Sequence, residues 1–227
     1  MSDYSAIIVT LKLALTTSVI LMLIGFPFAW WLARPSHSSV KNKIRPLFEA
    51  IVALPLVLPP TVLGFYLLIA FSPDSWFGST WLQFTGSTLA FSFTGLVIGS
   101  LIYSLPFVIQ PLQATFAAIP QATLEVSESL GATKFQQFKR VILPLSKSGL
   151  ISAFSLGFAH TLGEFGVVLM IGGNIENETR VVSIAIYDHV ETLQFNEAHQ
   201  LSLILIAFSL ALLTLLYRNK NNRVGFH

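Results

Sequence analysis

Two side chains capable of acid–base chemistry sit in an otherwise apolar stretch. They are His160 and Glu164, within Phe158-Ala159-His160-Thr161-Leu162-Gly163-Glu164-Phe165-Gly166. Residues four apart share a helix face, so this spacing allows a hydrogen bond between them. Ionisable groups inside an apolar span usually face a bundle interior or water. The pair therefore suits a proton site, a gate, or a polar contact that fixes packing; a Glu164 at the outer surface is a further alternative. Nothing nearby completes a catalytic centre. The five histidines (His37, His160, His189, His199 and His227) have no His-x-x-x-His or other ligand spacing, which argues against a metal site. The chain has no Cys, so disulfides, thiolate metal sites and thiol catalysis are excluded. No Ser-His-Asp or paired-carboxylate arrangement stands out. No Gly-x-x-x-x-Gly-Lys-Ser/Thr occurs, so any nucleotide must be bound by another polypeptide. The expectation is no catalytic residue, no metal and no cofactor in this chain.

The composition says what must position these groups. Only 24 of 227 residues are charged, 11% against 53% hydrophobic, and the mean hydropathy is +0.70. A soluble domain carries about 25% charged residues, so the solvent of this chain is the lipid bilayer. A net charge of +2 is too small to suggest a nucleic-acid partner. A membrane helix needs about 20 mostly apolar residues. The expected fold is all-α, a single transmembrane domain over 1–227, with five spans at about 13–33, 47–71, 88–110, 149–171 and 201–217. The first is read as a retained helix, because no basic segment precedes it and no small-residue cleavage site follows. Val181–Asp188, VVSIAIYD, is too short to cross; it is a re-entrant, interfacial or loop helix, with a sixth span as the alternative.

Lys and Arg concentrate in cytoplasmic loops. Arg34, Lys41, Lys43 and Arg45 lie between spans one and two. Lys134, Lys139, Arg140 and Lys147 lie between spans three and four, and Arg218, Lys220 and Arg223 follow span five. These are eleven of the thirteen basic residues, and five alternating spans put all of them on one side. Asp3, Asp74, Glu176, Glu178, Asp188, Glu191 and Glu197 fall on the other. The expected orientation is N-terminus outside and C-terminus cytoplasmic.

Pro55, Pro59 and Pro60 interrupt span two. Each removes a backbone donor, and irregular backbone at membrane depth is tolerated only inside protein or beside a water-filled cavity. Pro59, Pro60 and Thr61 thus shape a gate beside a pathway or form a structural kink. Gly163 and Gly166 permit close helix approach around Glu164. Arg180, an outer cation, is a partner for Glu164 or for another protein, with contact to a passing anion as the weaker alternative. Gly95 and Gly99 form a Gly-x-x-x-Gly in span three, compatible with dimerisation.

The loop over about 119–144 reads as two short helices. Pro120 suits a first turn, Leu124, Ser127 and Leu130 share a face, and Gly131 ends the first helix. A second helix, about Thr133 to Val141, carries Phe135, Phe138 and Ile142 on one stripe. The pair either packs on the chain's own cytoplasmic end or docks a soluble partner.

This loop resembles the signature loop of permease subunits of importers powered by ATP-binding cassette proteins. The family pattern is Glu-Ala-Ala, three residues, Gly, nine residues, Ile, one residue, Leu-Pro. Glu125, Gly131, Leu143 and Pro144 fit its spacing, with Val126 and Ser127 for the alanines and Val141 for the isoleucine. Leu54-Pro55-Leu56-Val57-Leu58-Pro59-Pro60-Thr61-Val62-Leu63-Gly64, Thr161-Leu162-Gly163-Glu164-Phe165-Gly166 and Asn177-Glu178-Thr179-Arg180 are similar to the molybdate branch of that family. The likeness runs from about Pro46 to Tyr217.

The resemblance implies that Glu125, Ser127, Glu128, Leu130, Gly131, Ala132 and Phe135 contact an ATPase. It places Pro59, Pro60, Thr61, Gly163, Glu164, Phe165 and Gly166 along a translocation path or gate. It implies a homodimer in a bacterial-type inner membrane, two cassette ATPase subunits that carry ATP and Mg, and an extracytoplasmic molybdate-binding protein. Tungstate and sulfate are alternative cargoes. An ion-coupled transporter using His160 and Glu164 is the rival from another class.

Overall fold

The computed structural model describes residues 2–34 and 39–221; His37, Arg223 and His227 fall outside them. The described residues form α-helices and one π-helical turn, with no strand. The elements are α1 (Ser2–Ala33), α2 (Ser39–Val57), α3 (Pro60–Phe71), α4 (Trp76–Thr85), α5 (Phe93–Ala117), α6 (Gln121–Ser129), α7 (Lys134–Gln137), the π turn Phe138–Ile142, α8 (Leu143–Leu162), α9 (Gly166–Gly172), α10 (Val182–Glu191) and α11 (Phe195–Asn221).

Helices α1, α5 and α8 pack on one another and form the centre; α3 lies on α9, and α10 on α11. The core has two large clusters and a smaller one of Ala6, Val182, Ala185 and Leu201. One large cluster gathers Leu13, Phe71, Leu96, Ile171 and Ile184. The other gathers Leu21, Leu32, Val108, Leu112, Phe116 and Ile142, with the Phe26 and Trp30 rings edge-on to Phe116. Many large apolar side chains remain exposed, among them Leu23, Ile204, Ile206 and Leu210, as a lipid-facing surface requires.

Four helical stretches are long and apolar enough to cross a bilayer, and a fifth is counted if Lys43–Val57 and Pro60–Phe71 are one bent span. That fits five spans, with span two broken by 111°. The break follows from the prolines. The carbonyls of Pro55 and Leu56 would accept from residues 59 and 60, which have no N–H, and the helix restarts with Pro60 in its first turn. Span three begins later than the sequence suggested, at Phe93, because Ser92 caps it by accepting from Gly95 N at 3.1 Å. Span four also shifts. It begins within the loop, runs unbroken over Lys134–Leu162, and stops at Gly163. The Val182–Glu191 helix, ten residues long, packs on α1 and α11 and is a loop helix rather than a sixth crossing. Helix α4 was not foreseen, although Ser75 caps its start and Gly86 its end.

The loop helices differ in detail from expectation. Gly131 holds φ +78° with no atom within 4 Å of a notional Cβ, so its backbone, not crowding, favours glycine. Leu124 is buried, but Leu130 is 83% exposed, so those two do not share a covered face. Phe135 is also exposed while Ile142 is buried, and Phe138 meets Phe26 edge-on. The π turn causes this split, since it changes the angular spacing between Phe135 and Ile142. Thr133 and Gln136 form a reciprocal capping box at the start of α7. Gln137 joins the two helices, its Nε2 donating to Leu124 O and Ser127 Oγ, each at 2.8 Å.

Candidate functional site

The two helix breaks meet. Gly166, which opens α9, lies so close to α3 that a Cβ there would stand 2.8 Å from Pro60 Cβ, and one on Gly64 would stand 2.8 Å from Met170 Cβ. Between the breaks is a cavity of about 630 Å³, lined by Pro60, Thr61, Gly163, Glu164, Phe165 and Gly166, with Tyr103, Ala159, His160, Leu169 and Met170 completing its wall. Six of the seven residues expected along a path thus share one cavity; Pro59 is the N-cap of α3 and is not part of its wall. The seven residues expected at a partner ATPase lie in the α6–α7 loop, apart from this cavity.

His160 and Glu164 do not pair with each other. Helix α8 ends at Leu162, so the four-residue repeat that would align them is lost. Glu164 is 3% exposed and turns toward α5, where its Oε2 accepts from Ser100 Oγ at 2.7 Å. Its backbone carbonyl accepts from Ser183 Oγ at 2.6 Å, which ties the break to α10. Its Oε1 is buried without a partner among the described residues. The placement excludes an outer-surface Glu164 and fits a polar contact that locks the break to α5 and α10.

His160 belongs to a second polar chain. Its Nδ1 lies 2.9 Å from Ser104 Oγ, Ser104 Oγ lies 3.0 Å from Thr161 Oγ1, and Thr161 Oγ1 donates to Gly157 O at 3.0 Å. Phe107 stacks on the imidazole with 3.7 Å between centroids. Ser100, Ser104 and Tyr103 were not singled out in the sequence. The available signal was Ser100 and Ser104, four apart in a span without charge.

Two other expectations change. Arg180 does not reach Glu164. Its Nη2 donates to Asp188 Oδ2 at 3.0 Å and its Nη1 is 3.6 Å from Glu176 Oε1, because α10 brings Asp188 over it. Gly95 and Gly99 are turned inward. A Cβ on Gly99 would collide with Ile171 and one on Gly95 with the Leu89 carbonyl, so this pair serves packing within the chain and offers no dimer face.

At the N-terminal end of α1, His189 Nε2 meets Asp3 Oδ1 at 3.0 Å and its Nδ1 meets Gln194 Oε1 at 2.8 Å. The hydrogen bond to Asp3 holds the His189 imidazole above its ordinary pKa of 6.5, while partial burial works against this.

Residues 25–220 match the family model described as "Binding-protein-dependent transport system inner membrane component". The chain is 49% identical over 224 residues to the molybdenum transport system permease protein ModB of Azotobacter vinelandii, covering 98% of this chain and 96% of that one. It is 32% identical over 205 residues to the sulfate transport system permease protein CysT of Escherichia coli K12, covering 90% of this chain and 72% of the relative. Its fold is similar to a chain in the crystal structure of a bacterial alginate ABC transporter in complex with an alginate-bound periplasmic protein. There the TM-score is 0.75 at 17% identity, over 95% of this chain and 77% of that chain.

Proposed function

Because this chain belongs to the family of binding-protein-dependent transport system inner membrane components, we propose that it is the permease subunit of an ATP-driven molybdate importer. The observation that carries the mechanism is the α6–α7 loop. It leaves Leu130 and Phe135 83% and 72% exposed, beside Glu125 and Glu128, at the end of a helix that runs unbroken to His160. Apolar side chains displayed this way on a membrane protein's loop suit the cleft of a soluble partner. The partner is a cassette ATPase, which carries the ATP and Mg absent from this chain's motifs. Two copies of that ATPase serve two copies of this chain.

A second copy is needed because the cavity is incomplete. Thr61 and Gly163 are exposed, and the adjoining surface of α2 and α3 displays Val57, Val62, Phe65, Tyr66 and Ile69. Closure by a twofold partner would bury that surface and turn the cavity into a path. An extracytoplasmic binding protein delivers the anion. The path then alternates between two rigid-body packings.

The orientation follows the basic residues. Arg45 donates to the carbonyls of Trp31 and Arg34, and Arg34 donates to Gln121 Oε1 at 3.4 Å. These contacts join the basic end of α1 to α2 and to the α6–α7 loop. That end is cytoplasmic, with the N-terminus outside.

The deciding experiment reconstitutes the chain in vesicles with its ATPase and binding protein. ATP-dependent accumulation of molybdate is expected, with tungstate and sulfate as competing anions. Accumulation by the chain alone, without ATPase or ATP, would instead establish the ion-coupled transporter. Sulfate uptake with molybdate excluded would move the cargo to the CysT type.

A further inference from the structure

The cavity between the two helix breaks offers hydrogen-bonding groups that the protein itself does not use. The hydroxyls of Thr61 and Tyr103 and the Nε2 of His160 have no partner among the described residues. Nor is His160 Nε2 one of the buried, unpartnered atoms. These groups come from α3, α5 and α8, so they converge on the cavity from three elements. None of the three is a carboxylate or a fixed cation.

The chain behind His160 governs which form of the ring faces the cavity. The links from Nδ1 through Ser104 and Thr161 to Gly157 O are 2.9, 3.0 and 3.0 Å. Two proton arrangements are open to it. In one, Thr161 donates to Gly157 O, Ser104 donates to Thr161, and Nδ1–H donates to Ser104; Nε2 then presents a lone pair. In the other, Ser104 donates to Nδ1 and the ring proton sits on Nε2, while the single Thr161 proton goes either to Ser104 or to Gly157 O, so one of the three links is given up. The two have the same charge and the same number of protons, and the hydroxyls reverse by rotation alone. Phe107, stacked at 3.7 Å, keeps the ring plane fixed in both.

We propose that His160 is a neutral hydrogen-bond donor to the tetrahedral oxyanion in transit, and that Ser104 and Thr161 are positioning residues that set its tautomer. This rests on the importer reading above. An oxyanion accepts and never donates, so it binds only the arrangement with Nε2–H and draws the population toward it. A fixed cation at this point would hold a dianion too firmly; passage requires sites that admit the ion and release it. Thr61 and Tyr103 supply further neutral donors from the other walls. Glu164 also lines the cavity, but its carboxyl is buried and turned onto Ser100. It therefore weakens residence without closing the site.

The test uses the permease–ATPase complex in vesicles with molybdate-loaded binding protein, and reads molybdate imported per ATP hydrolysed. His160→Phe keeps the stacking on Phe107 and removes the donor, and it should lower this ratio about tenfold, the value of one hydrogen bond to a charged group. His160→Gln, whose amide N–H donates from a similar position, should keep most of the ratio, and Ser104→Ala should fall between the two. A packing role would lower uptake and hydrolysis together with the ratio unchanged, and that result would overturn the proposal. So would a Gln variant no better than Phe. A wild-type complex that hydrolyses ATP and imports another oxyanion instead of molybdate would refute the cargo alone, and the same ratios are then read with that anion.

Discussion

Ser100 on α5 donates to Glu164 in the break after α8 at 2.7 Å, across 64 positions of sequence. This bond fixes where the broken span lies against the centre of the bundle. Glu164→Ala leaves the Ser100 hydroxyl buried without its acceptor and opens a void, so the purified protein should lose roughly 1–3 kcal/mol of stability. Glu164→Gln keeps an acceptor for Ser100 and should lose less. Thermal unfolding of the detergent-solubilised protein, compared across the three, checks the order.

The contact of Gly166 with Pro60 sets a second expectation. A methyl group at 166 must displace α3 or α9, since its neighbour at 2.8 Å is a proline ring. Overpacking of this kind costs about 1–3 kcal/mol. Gly166→Ala should therefore destabilise the protein and reduce uptake, and Gly64→Ala should do comparable harm, because its added methyl meets Met170 Cβ at 2.8 Å and the Val167 Cα at 3.3 Å, atoms fixed by the α9 backbone. Uptake and melting temperature of both variants test this, and wild-type values for either would remove that contact as a constraint.

Much of this architecture was legible from residue types. Charge scarcity gave the medium, the prolines at 55, 59 and 60 gave the broken span, and Gly166 gave a close approach, to Pro60, whereas Gly163 has no close neighbour and ends α8 instead. The meeting of the two breaks was not legible, because no local pattern says that residue 60 packs on residue 166. The expected His160–Glu164 pair failed for a related reason. Four-residue spacing implies adjacency only while the helix continues, and Gly163 ends it. Arg180 likewise took its partners from α10, a helix whose placement over the break depends on tertiary packing. The Phe135–Ile142 stripe failed because a π turn leaves no clear mark in composition.

In the loop, Gly131 and Leu130 separate backbone from surface. Gly131→Ala places a side chain at φ +78° and should cost about 1 kcal/mol or more through the backbone alone. Leu130→Ser alters an exposed side chain and should leave the melting temperature unchanged. If the loop docks an ATPase, Leu130→Ser should nonetheless reduce the amount of ATPase that copurifies. Equal copurification with the wild type would remove Leu130 from the interface.

His189 provides a pH dependence. Asp3 raises its pKa above 6.5, so the folded state binds its proton more tightly than the unfolded chain does. The added stability is full below the unfolded value and is lost as pH rises through the folded one. Melting temperature should thus fall as pH rises from below 6.5 into the region above it. His189→Gln should flatten that part of the profile. A profile unchanged by the substitution would assign the dependence to another group.

The helix over Lys134–Leu162 joins the loop to the cavity without interruption. Its 29 residues make a rod about 44 Å long at 1.5 Å per residue. Pivoted near one end, such a rod sweeps its far end through about 8 Å for each 10° of tilt. No hydrogen bond within it need break. A push at Phe135 therefore becomes a displacement at His160 by leverage, and the stroke available at the cavity is set by helix length rather than by any change in fold.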